Sequence, residues 1–105
     1  MSLIVEKYGG TSVGSIERIN AVAEKVSKSH HEGNQMVIVV SAMSGETNRL
    51  LELAKEINPD MPAREADVLV STGEQVTIAL LCMALMRIGH KAKSYTGGQV
   101  RIETD

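Results

Sequence analysis

Apolar and polar positions along the chain keep two alternating rhythms. Residues 3–8, "LIVEKY", make a short apolar run closed by glycines, the pattern of a strand. From about Ser15 the rhythm becomes helical. Ile16, Ile19, Val22, Ala23 and Val26 share one face, with Glu17, Arg18, Glu24 and Lys25 opposite. Gly33, in "SHHEGN", is the expected stop. "MVIVV", at 36–40, has four β-branched residues in five and predicts a strand buried on both faces, as in a parallel sheet. A second helix is predicted from Thr47 to Ile57, with Leu50, Leu51, Leu53, Ala54 and Ile57 inward. "NPDMP" breaks it. A third helix begins near Ala63, and the capping-box spacing of Thr72 and Gln75 predicts a separate helix start there. That helix runs to about Ile88 and stops at Gly89. "KAKSYT" reads as a third strand, and "GGQVRI" as a turn and the start of another.

Strands alternating with helices define an α/β protein, here with a largely parallel sheet flanked by helices and right-handed crossovers. The stretch from Ile78 to Met86 is apolar nearly all round, which predicts burial in a larger core or a subunit interface.

Composition narrows the function. The chain has 105 residues, room for one domain. Tyr8 and Tyr95 are its only aromatic residues, so there is no platform for stacking bases. Eleven Lys and Arg against 13 Asp and Glu give a net charge of −2 with no basic stripe, which argues against nucleic acid. The single cysteine, Cys82, lies in the apolar "ALLCMAL" and reads as a buried, inert thiol. No signal-peptide pattern opens the chain, and the longest apolar run is well short of the ~20 residues that span a bilayer. The expected setting is the cytoplasm, without a membrane. His30, His31 and His90 read as solvated surface.

The candidate chemistry sits where strands hand over to helices. In "KYGGTSVGS", residues 7–15, Gly9 and Gly10 let backbone approach a phosphate without a Cβ in the way. Lys7 adds a mobile cation, Thr11 and Ser12 short donors, and the following helix a positive dipole end. The plainer reading is a tight turn beside an exposed lysine. Neither the P-loop spacing nor the dinucleotide fingerprint is present. "SAMSGET" leaves the second strand at the same sheet edge, where α/β proteins bind ligands, and would project Ser41, Ser44, Thr47 and Asn48. Helix capping by Ser44 or Thr47 is the alternative. "STGE" places Glu74 in a first helical turn, either as a partner of the helix dipole or as a carboxylate for an ammonium group.

Taken together, "KYGGTSVGS", "VVSAMSGETN" and "VSTGEQVTIAL", in this order and spacing, resemble the N-terminal segment of aspartate kinases, members of the amino-acid kinase family. The resemblance covers essentially the whole chain. It implies a partial amino-acid kinase fold, like that of carbamate kinase. It also implies ATP-dependent phosphorylation of the aspartate side-chain carboxylate, the first step towards lysine, threonine and methionine. By matching motif, Lys7 would be catalytic, neutralising charge on the transferring phosphoryl group. Lys7, Tyr8, Gly9, Gly10 and Ser41 would form the ATP and phosphate site. Thr47 would bind the aspartate carboxylate and Glu74 its ammonium. Mg²⁺ would accompany ATP, without a carboxylate pair here that clearly holds it. The implied partners are aspartate, ATP and further copies of the chain. Residues 1–105 would be the substrate-binding part, lacking the glycine-rich "GRGGSD"-like loop, the nucleotide-binding half and the ACT domains, and inactive alone.

Two other readings stand beside this one. The chain could come from another amino-acid kinase, acting on acetylglutamate, glutamate or a nucleotide, although the pairing of "GGTS" with "STGE" argues against it. It could also be a non-catalytic fragment that binds ligand or self-associates through its apolar helix.

Overall fold

A computed structural model describes residues 2–103. Its elements run β1 (Leu3–Tyr8), α1 (Ile16–His31), β2 (Gln35–Val40), α2 (Glu46–Ile57), α3 (Ala63–Arg87), β3 (Ala92–Tyr95) and β4 (Gln99–Ile102). The α/β class is as the apolar rhythm predicts, and α1 starts where the sequence places it. Ser15 is its N-cap, its side chain accepting from the Arg18 N–H at 3.2 Å. Gly89, at φ +97°, follows the end of α3 in backbone that favours glycine.

The sheet order is β1-β2-β4-β3. The β1–β2 ladder is parallel, whereas β4 is antiparallel to both β2 and β3. Thus β1, β2 and β3 point one way, but only one of the three ladders is parallel, and the sheet is mixed rather than largely parallel. The cause is local. A three-residue turn, Thr96 to Gly98, folds β4 back on β3, and such a short connection permits only antiparallel pairing. The hairpin then slots β4 in beside β2.

The sheet buries one face. Met36, Ile38, Val40, Val100 and Ile102 pack under α1 and α3 with Ile19, Val22, Val26, Leu81 and Leu85. Leu3 and Val5, on the opposite face, are 63% and 56% exposed. Val37 and Val39, on that face, are half-buried, and within residues 2–103 the helices pack on the other side. α2 packs on α3, not on the sheet. Only Leu50 of its predicted inward face is buried, while Leu53 and Ile57 are 47% and 88% exposed.

α3 is one unbroken helix of 25 residues, so Thr72 opens no new helix. Its hydroxyl donates backward to the Leu69 carbonyl at 2.6 Å, as a mid-helix threonine can. By length and composition alone α3 could cross a membrane. The fold uses it as a core helix, with Ile78, Leu81, Cys82, Ala84 and Leu85 buried and Val76, Met83 and Met86 exposed. Cys82 is buried, and desolvation pushes its thiol pKa up, away from reactivity.

Candidate functional site

The loops leaving β1 and β2 are pressed together at the carboxyl end of the parallel pair. The Ser41 N–H donates to the Tyr8 carbonyl at 3.2 Å, and the Ser44 N–H to the Gly10 carbonyl at 3.1 Å. Each loop is anchored by one apolar residue, Val13 in the first and Ala42 in the second, both buried. Gly10 is required by this seam, since a Cβ there would lie 2.8 Å from the Ala42 carbonyl oxygen. Gly9 is not, since its Cβ would meet nothing within 4 Å. Neither has positive φ. α1 begins only at Ile16, beyond the glycine pair in the chain, and the Ser15 side chain takes up one of its first-turn N–H groups, that of Arg18. The N–H groups of Gly9, Gly10 and Thr11 have no partner among the described residues.

Lys7 and Tyr8, adjacent on β1, point to opposite faces. Lys7 lies on the open face and is exposed. The Tyr8 phenol lies on the helix face, donating to Glu6 Oε2 at 3.2 Å, with Lys25 Nζ 5.7 Å from its ring centre. Burial, and then the Glu6 carboxylate, push its pKa up to about 12, so the phenol stays protonated. What Tyr8 presents to the loops is its carbonyl.

The second loop leads into α2 through Gly45, an N-cap without a side-chain bond. Capping therefore uses neither Ser44 nor Thr47. The hydroxyls of Ser41, Ser44 and Thr47 make no hydrogen bond among the described residues. Glu46, next to Thr47, is taken up by Arg49, which holds its carboxyl below the usual carboxylate range.

α3 closes the third side. A Cβ on Gly73 would come 3.0 Å from the Ala42 Cβ and 3.5 Å from the Glu46 Cγ. A mid-helix glycine costs about 0.5–1 kcal/mol, and close packing on the second loop offsets it. Glu74 follows in the middle of the helix, not in a first turn, so the helix dipole offers it nothing. Its half-buried carboxylate makes no hydrogen bond or ion pair among the described residues. It lines a cavity of about 470 Å³ with Ser71, Ser94, Thr96, Gly97 and Gly98. Sequence reading missed this last wall. The Gly97–Gly98 pair was its one signal, and it reads first as a turn.

The three histidines, expected as solvated surface, form a cluster at the C-terminal ends of α1 and α3. The His90 ring lies 5.3 Å and 5.4 Å from those of His30 and His31, and its Nε2 is 2.7 Å from Ser27 Oγ.

Glycine-lined backbone and unpaired hydroxyls thus gather at the carboxyl end of the parallel pair, the edge at which α/β proteins bind ligands, with the Glu74 carboxylate of α3 beside them. The model of the amino acid kinase family matches residues 2–104, and the chain belongs to that family. It is 67% identical over its whole length to an aspartate kinase from Pseudomonas putida and 65% to an aspartokinase from Pseudomonas aeruginosa. An aspartokinase from Thermus thermophilus is 49% identical. The chain spans about a quarter (26%) of each of these relatives. The crystal structure of an aspartate kinase from Synechocystis superimposes with a TM-score of 0.87 at 53% identity, over 89% of this chain and 16% of that one.

Proposed function

We propose that these residues are the substrate-binding part of an aspartate kinase, which transfers the γ-phosphoryl group of ATP to the side-chain carboxylate of aspartate. The observation that carries the reading is Glu74. A half-buried carboxylate without a partner among the described residues, facing a cavity that Ser71, Ser94 and Thr96 also line, suits an incoming ammonium group. Support also comes from the family and from relatives at 65–67% identity named aspartate kinase or aspartokinase.

In this reading, an oxygen of the aspartate side-chain carboxylate attacks the γ-phosphorus. The bond from that phosphorus to the bridging oxygen of ADP breaks, and ADP leaves with its electron pair. Such a transfer needs positioning and charge stabilisation more than covalent help from the protein. Glu74 holds the ammonium and Thr47 the aspartate carboxylate. The N–H groups of Gly10 and Thr11, beside Gly9 and Ser41, face the nucleotide phosphates. Lys7 reaches the transferring group, where its charge counts most in the transition state. Mg²⁺ would enter with ATP. Among the described residues no group of three His, Cys, Asp or Glu side chains could hold a metal ion, so they supply no cage for it. The product, 4-phospho-aspartate, feeds lysine, threonine and methionine synthesis. Cytoplasmic location and self-association through the exposed Val76, Met83 and Met86 of α3 belong to the same proposal.

The test is Glu74→Gln in the complete natural polypeptide that carries these residues. The swap keeps shape and removes charge. A charge-assisted hydrogen bond contributes about 1.5–3 kcal/mol, so the KM for aspartate rises about 10- to 100-fold while that for ATP holds. An aspartate KM unchanged by the swap refutes the assignment.

A further inference from the structure

The β3–β4 turn does more than connect two strands. Gly97 and Gly98 both have positive φ, +78° and +73°, in the left-handed region that favours glycine. Their surroundings differ. A Cβ on Gly97 would meet nothing within 4 Å. On Gly98 it would lie 2.7 Å from the Val40 carbonyl oxygen and 3.1 Å from Glu74 Oε2. Gly98 is buried, and its own carbonyl accepts from the Val40 N–H at 2.9 Å. One residue is therefore stitched to the end of β2, next to Ser41, and at the same time closes on the Glu74 carboxylate.

The carboxylate has no hydrogen-bonding partner among the described residues to fix its direction. What limits it is shape. The helix backbone holds its base, and the bare backbone of the turn leaves room beside one oxygen. A side chain at position 98 would occupy that room and push the carboxylate away from the turn.

We propose that Gly98 is a positioning residue for substrate recognition. By lacking a side chain it lets Glu74 lie against the β3–β4 turn, level with the carboxyl end of β2, where the carboxylate receives the ammonium of an amino-acid substrate. Gly98 acts through Glu74 and does not touch the reacting atoms. The proposal rests on the ammonium-binding role of Glu74.

The experiment compares aspartate with succinate, which has the same two carboxylates and no amine. Aspartate KM and the inhibition constant of succinate are measured for wild type, Gly98→Ala, Glu74→Gln and Gly33→Ala, all in the complete natural polypeptide. Gly33, at φ +95° with open space around it, controls for left-handed strain alone. Gly98→Ala raises the aspartate KM about tenfold or more, with kcat and succinate inhibition changed less than about threefold, so its preference for aspartate falls towards that of Glu74→Gln. Gly33→Ala keeps the wild-type preference. A Gly98→Ala enzyme that keeps it as well, or loses both ligands equally, overturns the proposal while Glu74→Gln still shows the loss. If Glu74→Gln also keeps the preference, the ammonium role itself fails and the proposal falls with it. Should Gly98→Ala not fold, the nitrogen-15-labelled wild type decides. Its Gly98 amide resonance moves on titration with aspartate and stays in place with succinate. A Gly98 signal that ignores aspartate, or answers both ligands alike, overturns the proposal.

Discussion

Gly10→Ala drives a methyl group into the seam between the first two loops. Its Cβ would sit 2.8 Å from the Ala42 carbonyl oxygen, well inside the 3.4 Å at which ordinary contact begins, and 3.3 Å from the Ser44 nitrogen, just inside it. The contacted atoms are backbone, so no flexible side chain can swing aside. The loops must part, which strains the Ser44–Gly10 and Ser41–Tyr8 hydrogen bonds. Overpacking of this kind costs about 1–3 kcal/mol. The alanine also restricts the unfolded chain, which returns about 0.4–1 kcal/mol. The net loss is on the order of 1–2 kcal/mol, and a domain of this size loses roughly 5–15 °C in melting temperature. Gly9→Ala is the matched comparison. It meets nothing within 4 Å and carries no positive φ, so its melting temperature holds or rises slightly. Thermal unfolding followed by circular dichroism at 222 nm measures both. A Gly10→Ala chain as stable as wild type, or a Gly9→Ala chain equally destabilised, refutes the packing argument. Because packing does not require Gly9, a loss of ATP affinity in Gly9→Ala at unchanged stability reports phosphate approach directly.

Three further outcomes are expected. Lys7→Ala in the complete polypeptide lowers kcat on the order of 100-fold and leaves the aspartate KM nearly constant, as for loss of a preorganised charge donor; a changed KM at constant kcat makes Lys7 a substrate ligand instead. Leu81→Ala, at a position with no exposure, destabilises by about 2–5 kcal/mol in urea titrations; a loss under 1 kcal/mol means that the core closes over the cavity, about the cost of the mildest core trims. The third concerns pH. Burial, and then the charges of His30 and His31, hold the His90 pKa below the ordinary 6.5. A depressed base favours its neutral form in the folded state, so its stability contribution is complete above pH 6.5 and is lost as pH falls through the folded value. Melting temperature therefore drops between pH 7 and pH 5 more steeply in wild type than in His90→Gln, and parallel profiles refute the coupling.

Much of the fold was legible because it rests on local rules. The apolar run of β1, the helical period of α1 from about Ser15, and the stop at Gly89 each follow from side chains near one another in the chain. The same holds for the glycine pair of the first loop and the order of the three motifs, on which the family resemblance rests. Composition also found the inert Cys82.

Tertiary structure decided what depends on distant neighbours. A capping-box spacing at Thr72 and Gln75 reads as a helix start, yet packing of Gly73 on Ala42 and Leu50 carries α3 straight through it. That continuity removes the dipole explanation for Glu74 and leaves its carboxylate to the cavity. β-branched density in β2 marks an interior strand, but which helices pack on it is set by the elements that return to it, not by the strand's own composition. The antiparallel insertion of β4 beside β2 likewise follows from a turn of three residues folding onto a strand more than fifty positions earlier. Of the two glycines in that turn, sequence treats both alike. Only the fold sets one in open space and the other against Glu74, since steric room belongs to the neighbours and not to the residue.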